Sequence, residues 1–129
     1  MSDEHMRPKA LEFPVLDGID PPVSTVVPGP GGLRFDAGKV PLELLPSDAL
    51  EMVARILEFG ANKYARRNWE KGMKWSRVVG PLLRHTFKWL RGEDNDPETG
   101  YNHMAHVACN ALFLCAYIAR GAGEDDRKE

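Results

Sequence analysis

The chain has only two cysteines, no apolar run near the length of a bilayer, no excess of basic charge and none of the familiar short catalytic signatures. Each absence removes a class of protein. Cys109 and Cys115 stand six apart in what reads as one helix, so they point in different directions and cannot be bridged. Reduced thiols and a cytoplasmic setting are the expectation, and both thiols should be inert because they sit in an apolar helix. No stretch approaches the ~20 apolar residues of a membrane span, and the opening Met1-Ser2-Asp3-Glu4-His5 is polar and acidic, unlike a signal peptide. A formal charge of -2 and a pI near 6.1 lack the basic excess of a general nucleic-acid binder. Walker loop, nucleophile elbow, dinucleotide fingerprint and zinc ribbon are all missing. There is no internal repeat.

What remains is a 129-residue chain of ordinary globular composition, 43% hydrophobic and 28% charged, with room for one core. Most of its ten prolines fall in residues 1–32, which close on Pro28-Gly29-Pro30-Gly31-Gly32. That segment reads as a flexible or extended arm. Its short apolar pieces could dock on a neighbouring subunit, and a disordered tail is the simpler alternative. From Leu33 the texture becomes that of a helical domain running to Gly121, followed by a charged, frayed tail over 122–129.

Three helices are expected. Ser47 or Asp48 can cap the first, with Asp48 and Glu51 at capping-box spacing. It runs to about Tyr64 with apolar residues on most sides, leaving Glu51, Arg55, Glu58 and Asn62 as one narrow polar stripe. After a loop over Asn68–Lys74 the second helix spans about Ser76–Arg91, bent near Gly80-Pro81 and stopped by Gly92. Asp96 as N-cap with Pro97 at the first helical position starts the third, which ends at Gly121. The fold class is therefore all-α, a compact bundle of three main helices. Three helices cannot bury all their apolar faces alone, so a homo-dimer or larger assembly is expected to complete the bundle.

Each helix carries polar residues where burial predicts apolar ones. His103 and His106 share one helical face, which Thr99 and Asn110 extend. Two imidazoles so placed can bind a transition metal or, when protonated, a phosphate. A pair of buried, hydrogen-bonded histidines is the plain alternative. Glu93, Asp94, Asp96 and Glu98 crowd one loop and repel each other unless a cation compensates. Mg²⁺ or Mn²⁺ suits such oxygen ligands. A solvated turn with Asp96 as cap is the alternative, and Glu93 is the member most expected to face a ligand. Glu58 lies deep in the first helix and needs a cationic or metal partner. Arg84 beside His85 offers donors for a phosphate, unless Arg84 pairs with Glu58. Trp69, Trp75 and Trp89 read as core or loop anchors.

The runs Arg34-Phe35-Asp36-Ala37-Gly38-Lys39, Phe59-Gly60-Ala61-Asn62-Lys63-Tyr64 and Arg67-Asn68-Trp69-Glu70-Lys71-Gly72 together resemble the N-terminal domain of phage-type dATP/dGTP diphosphohydrolases. Arg84-His85, Trp89, Gly92-Glu93, Asp96, Glu98, Gly100, His103, His106 and Asn110 continue the resemblance, which covers about residues 33–120. It implies an all-α, MazG-like enzyme that uses a divalent metal to cut a purine deoxynucleoside triphosphate between its α and β phosphates, adjusting a phage nucleotide pool. MazG-like enzymes hold Mg²⁺ with acidic pairs on two helices. Here Glu51 and Glu58 are seven apart, and His103-x-x-His106 stands where the second pair is expected.

The site expected on these grounds has Glu58, His85, Glu93, Asp96 and His106 around Mg²⁺ or Mn²⁺, with His103 close by. Glu58, His85 and His103 carry the catalysis, and a metal-activated water attacks the α-phosphorus. Arg34, Lys39, Lys63, Arg67, Arg84 and Asn110 hold the nucleotide and its phosphates. The competing expectation is a binding protein that sequesters a nucleotide, such as a cyclic host signal soaked up by a phage protein, without turnover.

Overall fold

Three helices carry the described part of the chain, residues 31–35 and 37–128 of a computed structural model. Helix α1 spans Ser47–Lys63, α2 Ser76–Leu90 and α3 His103–Arg120, with 3₁₀ turns at Leu42–Leu44 and Asn68–Lys71. Among the described residues there is no strand, and no helix is long and apolar enough to cross a membrane. The class is all-α, as expected. The Pro/Gly-rich arm lies outside the described residues except for Gly31 and Gly32.

Helix α3 is the element on which the other two pack. Its small residues explain why: Ala105 and Cys109 let Val53 and Ile56 of α1 approach closely, with Leu57, Tyr101 and Phe113 around them. Further along, Tyr117 meets Trp75, the residue just before α2, and Val78 of α2, flanked by Trp69, Met73, Leu114 and Ile118. Phe113 touches both clusters and joins them into one core. The Tyr117 hydroxyl donates to the Trp69 carbonyl, so the most deeply buried ring in the second cluster leaves no polar atom unpaired.

The first helix departs from expectation. Only Val53 and Ile56 are buried, while Leu50 and Met52 are exposed. One neighbour, α3, covers one face of α1, and the apolar positions away from that face are exposed or half-buried. Its start also differs. Neither Ser47 nor Asp48 is the N-cap; Pro46 occupies that position, and Asp48 accepts a local bond from the Ala49 N–H at 2.8 Å.

The third helix begins six residues later than the Asp96-Pro97 signal suggested. Asp96 spends its carboxylate on a turn instead, accepting from the Thr99 hydroxyl at 3.0 Å and the Thr99 N–H at 3.2 Å. The Asp96 N–H bonds the Tyr101 carbonyl at 2.8 Å, and the chain doubles back through Gly100 at φ 76°. Asp and Pro open a turn as readily as a helix, because Pro presets the turn's φ and Asp bonds the backbone ahead of it. The working cap is Asn102, whose side chain accepts from the Met104 N–H at 2.7 Å.

The charged tail is docked rather than frayed. Helix α2 has no side-chain cap of its own. Asp126 supplies one from fifty residues away, accepting from the Ser76 N–H at 2.9 Å and from the Ser76 hydroxyl. Glu124 and Trp75 pair through the backbone at 2.9 Å, and the Arg127 guanidinium lies over the Trp75 ring. This docking needs two glycines face to face: a Cβ on Gly123 would lie 2.5 Å from the Met73 carbonyl oxygen, and one on Gly72 would lie 2.8 Å from the Gly123 nitrogen. Gly121, also at positive φ, has open space around it. Gly121→Ala should therefore cost roughly 1–2 kcal/mol, the left-handed strain alone. Gly123→Ala should cost more and release the α2 cap. Thermal unfolding of the two variants side by side checks this, and equal melting temperatures would contradict the docked tail.

Candidate functional site

The chemistry-bearing side chains meet at one end of the α2–α3 seam. His103 and His106, at the start of α3, project from one face. The close packing of α2 puts His85 opposite them, and the turn before α3 brings Asp96 and Thr99 to the same place. Glu93, just past the end of α2, closes the outer side. His103 has 0% exposure and Asp96 and His106 are nearly as enclosed. Buried groups of this polarity must be paired, and each of them is.

Hydrogen bonds specify how the rings are protonated. His103 Nε2 lies 2.7 Å from Glu93 Oε1. An ionised carboxylate only accepts, so Nε2 carries the proton and donates, leaving Nδ1 with a lone pair. That Nδ1 lies 2.8 Å from Nδ1 of His85. The Thr99 hydroxyl donates to Asp96 Oδ2, so it accepts from His106 Nε2 at 2.8 Å. His106 is thereby also an Nε2–H tautomer. Its ring stacks flat on His85, with centroids 4.3 Å apart and an interplanar angle of 4°.

The electrostatics favour neutral rings at His85 and His106 and a charged Asp96. Burial, reinforced by the neighbouring His106, pushes His85 down to about 4. Burial also lowers His106, against the opposing pull of Asp96. For Asp96, desolvation pushes its pKa upward, but the bonds from the Thr99 hydroxyl and N–H and the adjacent histidines outweigh it and hold the carboxyl below its ordinary value. At neutral pH the seam therefore holds lone-pair nitrogens beside a carboxylate. One donor atom each from His85, Asp96 and His103 lies within 4.8 Å of the other two, a spacing that one metal ion can span.

A cleft of about 1060 Å³ opens beside this cluster, between α1, α2, the Asp96 turn and α3. His85, Asp96 and His106 form part of its wall. The other expected residues distribute unevenly. Glu58 lines the cleft on the α1 side, but it is exposed and pairs with Arg55 at 3.6 Å, not with Arg84. One turn from the end of a helix covered on one face, it meets water rather than a core. Glu93 stands behind His103 instead of facing the cleft. Lys63 lines the cleft with its ammonium on Glu98 at 3.1 Å, and Arg67 does so with its guanidinium on Glu70 at 3.1 Å. Arg84 lines it with no ion pair among the described residues, lying close over Gly80. Asn110 lines it too, its amide donating to the His106 carbonyl at 2.9 Å. Arg34 and Lys39 are exposed and outside the cleft wall.

Trp69 has its ring stacked on Phe113 at 4.6 Å with the Arg120 guanidinium 5.3 Å from it, so it is an anchor. Cys109 is buried and pushed up to about 11 by desolvation, whereas Cys115, on the same apolar helix, is exposed. Thr99 stands in the sequence only as an extension of the His103 and His106 face, with no role of its own. Only the turn makes it the bridge between Asp96 and His106.

The depressed His85 has a direct consequence. Its folded-state value lies below the unfolded one, so the unfolded chain binds more protons between pH 6.5 and about 4, and stability falls as pH falls through that window. In the metal-free protein, histidine NMR titration should give His85 a midpoint near 4. A midpoint near 6.5 would mean that the ring is not enclosed as described.

The family of dATP/dGTP diphosphohydrolase N-terminal domains matches residues 30–127. A dATP/dGTP diphosphohydrolase of Salmonella phage PMBT28 is 38% identical over 97 residues, which is 75% of this chain and 33% of that protein. The chain thus spans about a third of the length of the curated relative it matches. No solved structure gives a match. The match over most of the chain is decisive for kinship: this chain belongs to the dATP/dGTP diphosphohydrolase N-terminal family.

Proposed function

From that membership, we propose that the chain binds a purine deoxynucleoside triphosphate in the cleft and hydrolyses it, with a divalent metal, to the monophosphate and pyrophosphate. The observation that carries this reading is the enclosed His85, Asp96 and His103 set beside a cleft with basic walls. The relative's name supports the substrate class. Bacteriophage nucleotide-pool control in the host cytoplasm is the setting that fits that kinship.

The donor chemistry fits a metal. Two neutral imidazoles and one carboxylate suit Mn²⁺ better than Mg²⁺, which prefers an all-oxygen shell. His85, Asp96 and His103 would hold the ion, and bound there it supplies Lewis acidity to phosphate oxygens and lowers the pKa of nearby water. The chain's own groups do the rest. Arg84, with no competing carboxylate among the described residues, takes the phosphate oxygens with two parallel donors. Lys63 and Arg67 can reach them by exchanging Glu98 and Glu70 for phosphate. Glu58, a solvated carboxylate on the opposite wall, accepts the proton of the attacking water. His106 keeps His85 in place by stacking, with its own tautomer held by Thr99.

Leu83, Phe87 and Leu90, exposed at helical spacing on α2, support a homo-oligomer. A second reading is nucleotide capture without turnover, including capture of a cyclic nucleotide signal. It is favoured by the single carboxylate in the enclosed set, which is sparse for two-metal phosphate chemistry.

Incubation with each deoxynucleoside triphosphate and Mn²⁺ or Mg²⁺ separates the two readings. Monophosphate and pyrophosphate are expected from dATP or dGTP; tight binding with no product from any nucleotide would establish capture instead. Arg84→Ala should raise KM at least about tenfold, the loss of its charge-assisted contact with the phosphates, while His106→Ala should abolish turnover with helix content intact. Unchanged turnover removes His106 from the machinery.

A further inference from the structure

Resting on the reading that His85, Asp96 and His103 hold a metal, we propose that Glu93 is the positioning residue that makes His103 a ligand. Glu93 is outside the set of donor atoms that converge. It lies on the far side of the His103 ring, with Oε1 2.7 Å from Nε2, while Nδ1 faces His85 at 2.8 Å. A fully buried imidazole has two tautomers, and only the Nε2–H form turns a lone pair toward the cluster. The Glu93 carboxylate selects that form. It also fixes the ring's orientation, as a carboxylate does behind a metal-binding histidine.

The backbone is built to hold Glu93 there. Gly92 adopts φ 99°, a conformation that side-chain-bearing residues rarely reach, and so turns the chain back after α2. The Glu93 N–H then bonds the Lys88 carbonyl at 3.1 Å. The His103 N–H bonds the Asp94 carbonyl at 2.9 Å, which ties the first residue of α3 to the residue after Glu93. The carboxylate side chain is 46% exposed although the ring it holds is fully buried. Glu93 therefore needs no burial of charge to do this, and its removal opens no cavity.

The test uses the full chain as wild type, Glu93→Ala, Glu93→Gln and His103→Ala, each checked by circular dichroism. Mn²⁺ affinity is measured by electron paramagnetic resonance of the free ion, and the His103 tautomer by ¹⁵N NMR of the metal-free protein. Glu93→Ala should weaken Mn²⁺ binding about 10–100-fold and turn His103 into a tautomer mixture. Glu93→Gln should retain most of the affinity, because its amide oxygen still accepts from Nε2–H. Wild-type affinity in Glu93→Ala overturns the inference. So does a Glu93→Gln loss as large as that of His103→Ala, which would make Glu93 a ligand itself. If wild type takes up no Mn²⁺, the metal reading fails, and the tautomer measurement alone decides the role of Glu93: an unchanged Nε2–H form in Glu93→Ala rejects it.

Discussion

A completely buried imidazole at a helix–helix seam is the constraint from which the site is built. His103 has no access to water, so both ring nitrogens must find partners inside the protein. One partner is a carboxylate from the loop after α2, and the other is a histidine of α2 itself. Meeting both requirements sets the separation of α2 and α3, the path of the loop between them and the protonation of the rings. Placing the third helix's first residue there also forces the Asp96 turn to finish just before it, which delivers Asp96 and Thr99 to the same cluster.

The apolar core is small and serves that seam. Phe113 and Tyr117 lock α3 between its two partners, and the docked C-terminal segment secures the start of α2 at the end away from the histidines. Helix α1 receives less cover and forms the loose wall of the cleft. A rigid α2–α3 pair carrying the cluster, faced by a lightly packed wall carrying exchangeable ion pairs, suits a site that must hold its donors still while admitting a charged ligand.

Local signals were legible wherever one local rule acted alone. The small-residue faces of α3, the glycine stops at Gly92 and Gly121 and the pairing of His103 with His106 on one face all follow from helical spacing and backbone sterics. Signals failed where two structures share one chemistry. Asp96-Pro97 suits a helix start and a turn equally, and the competing bonds to Thr99 and Tyr101 decided for the turn. An apolar periodicity on most sides suggested an enclosed α1, because periodicity records which faces could be buried and says nothing of what is present to cover them.

By itself, then, the sequence determined the helical class, the kinship carried by its ordered motifs and the residue types available for a metal-and-phosphate site. Only the tertiary structure decided their roles. It separated His103 from His106, setting one toward His85 with Glu93 behind it and the other flat against His85 with its proton on Thr99. It left Glu58 in solvent, and it fastened a charged tail to a helix fifty residues away. The physical reason is that a side chain's protonation, burial and reach depend on partners brought by other elements, and spacing along one element cannot specify them.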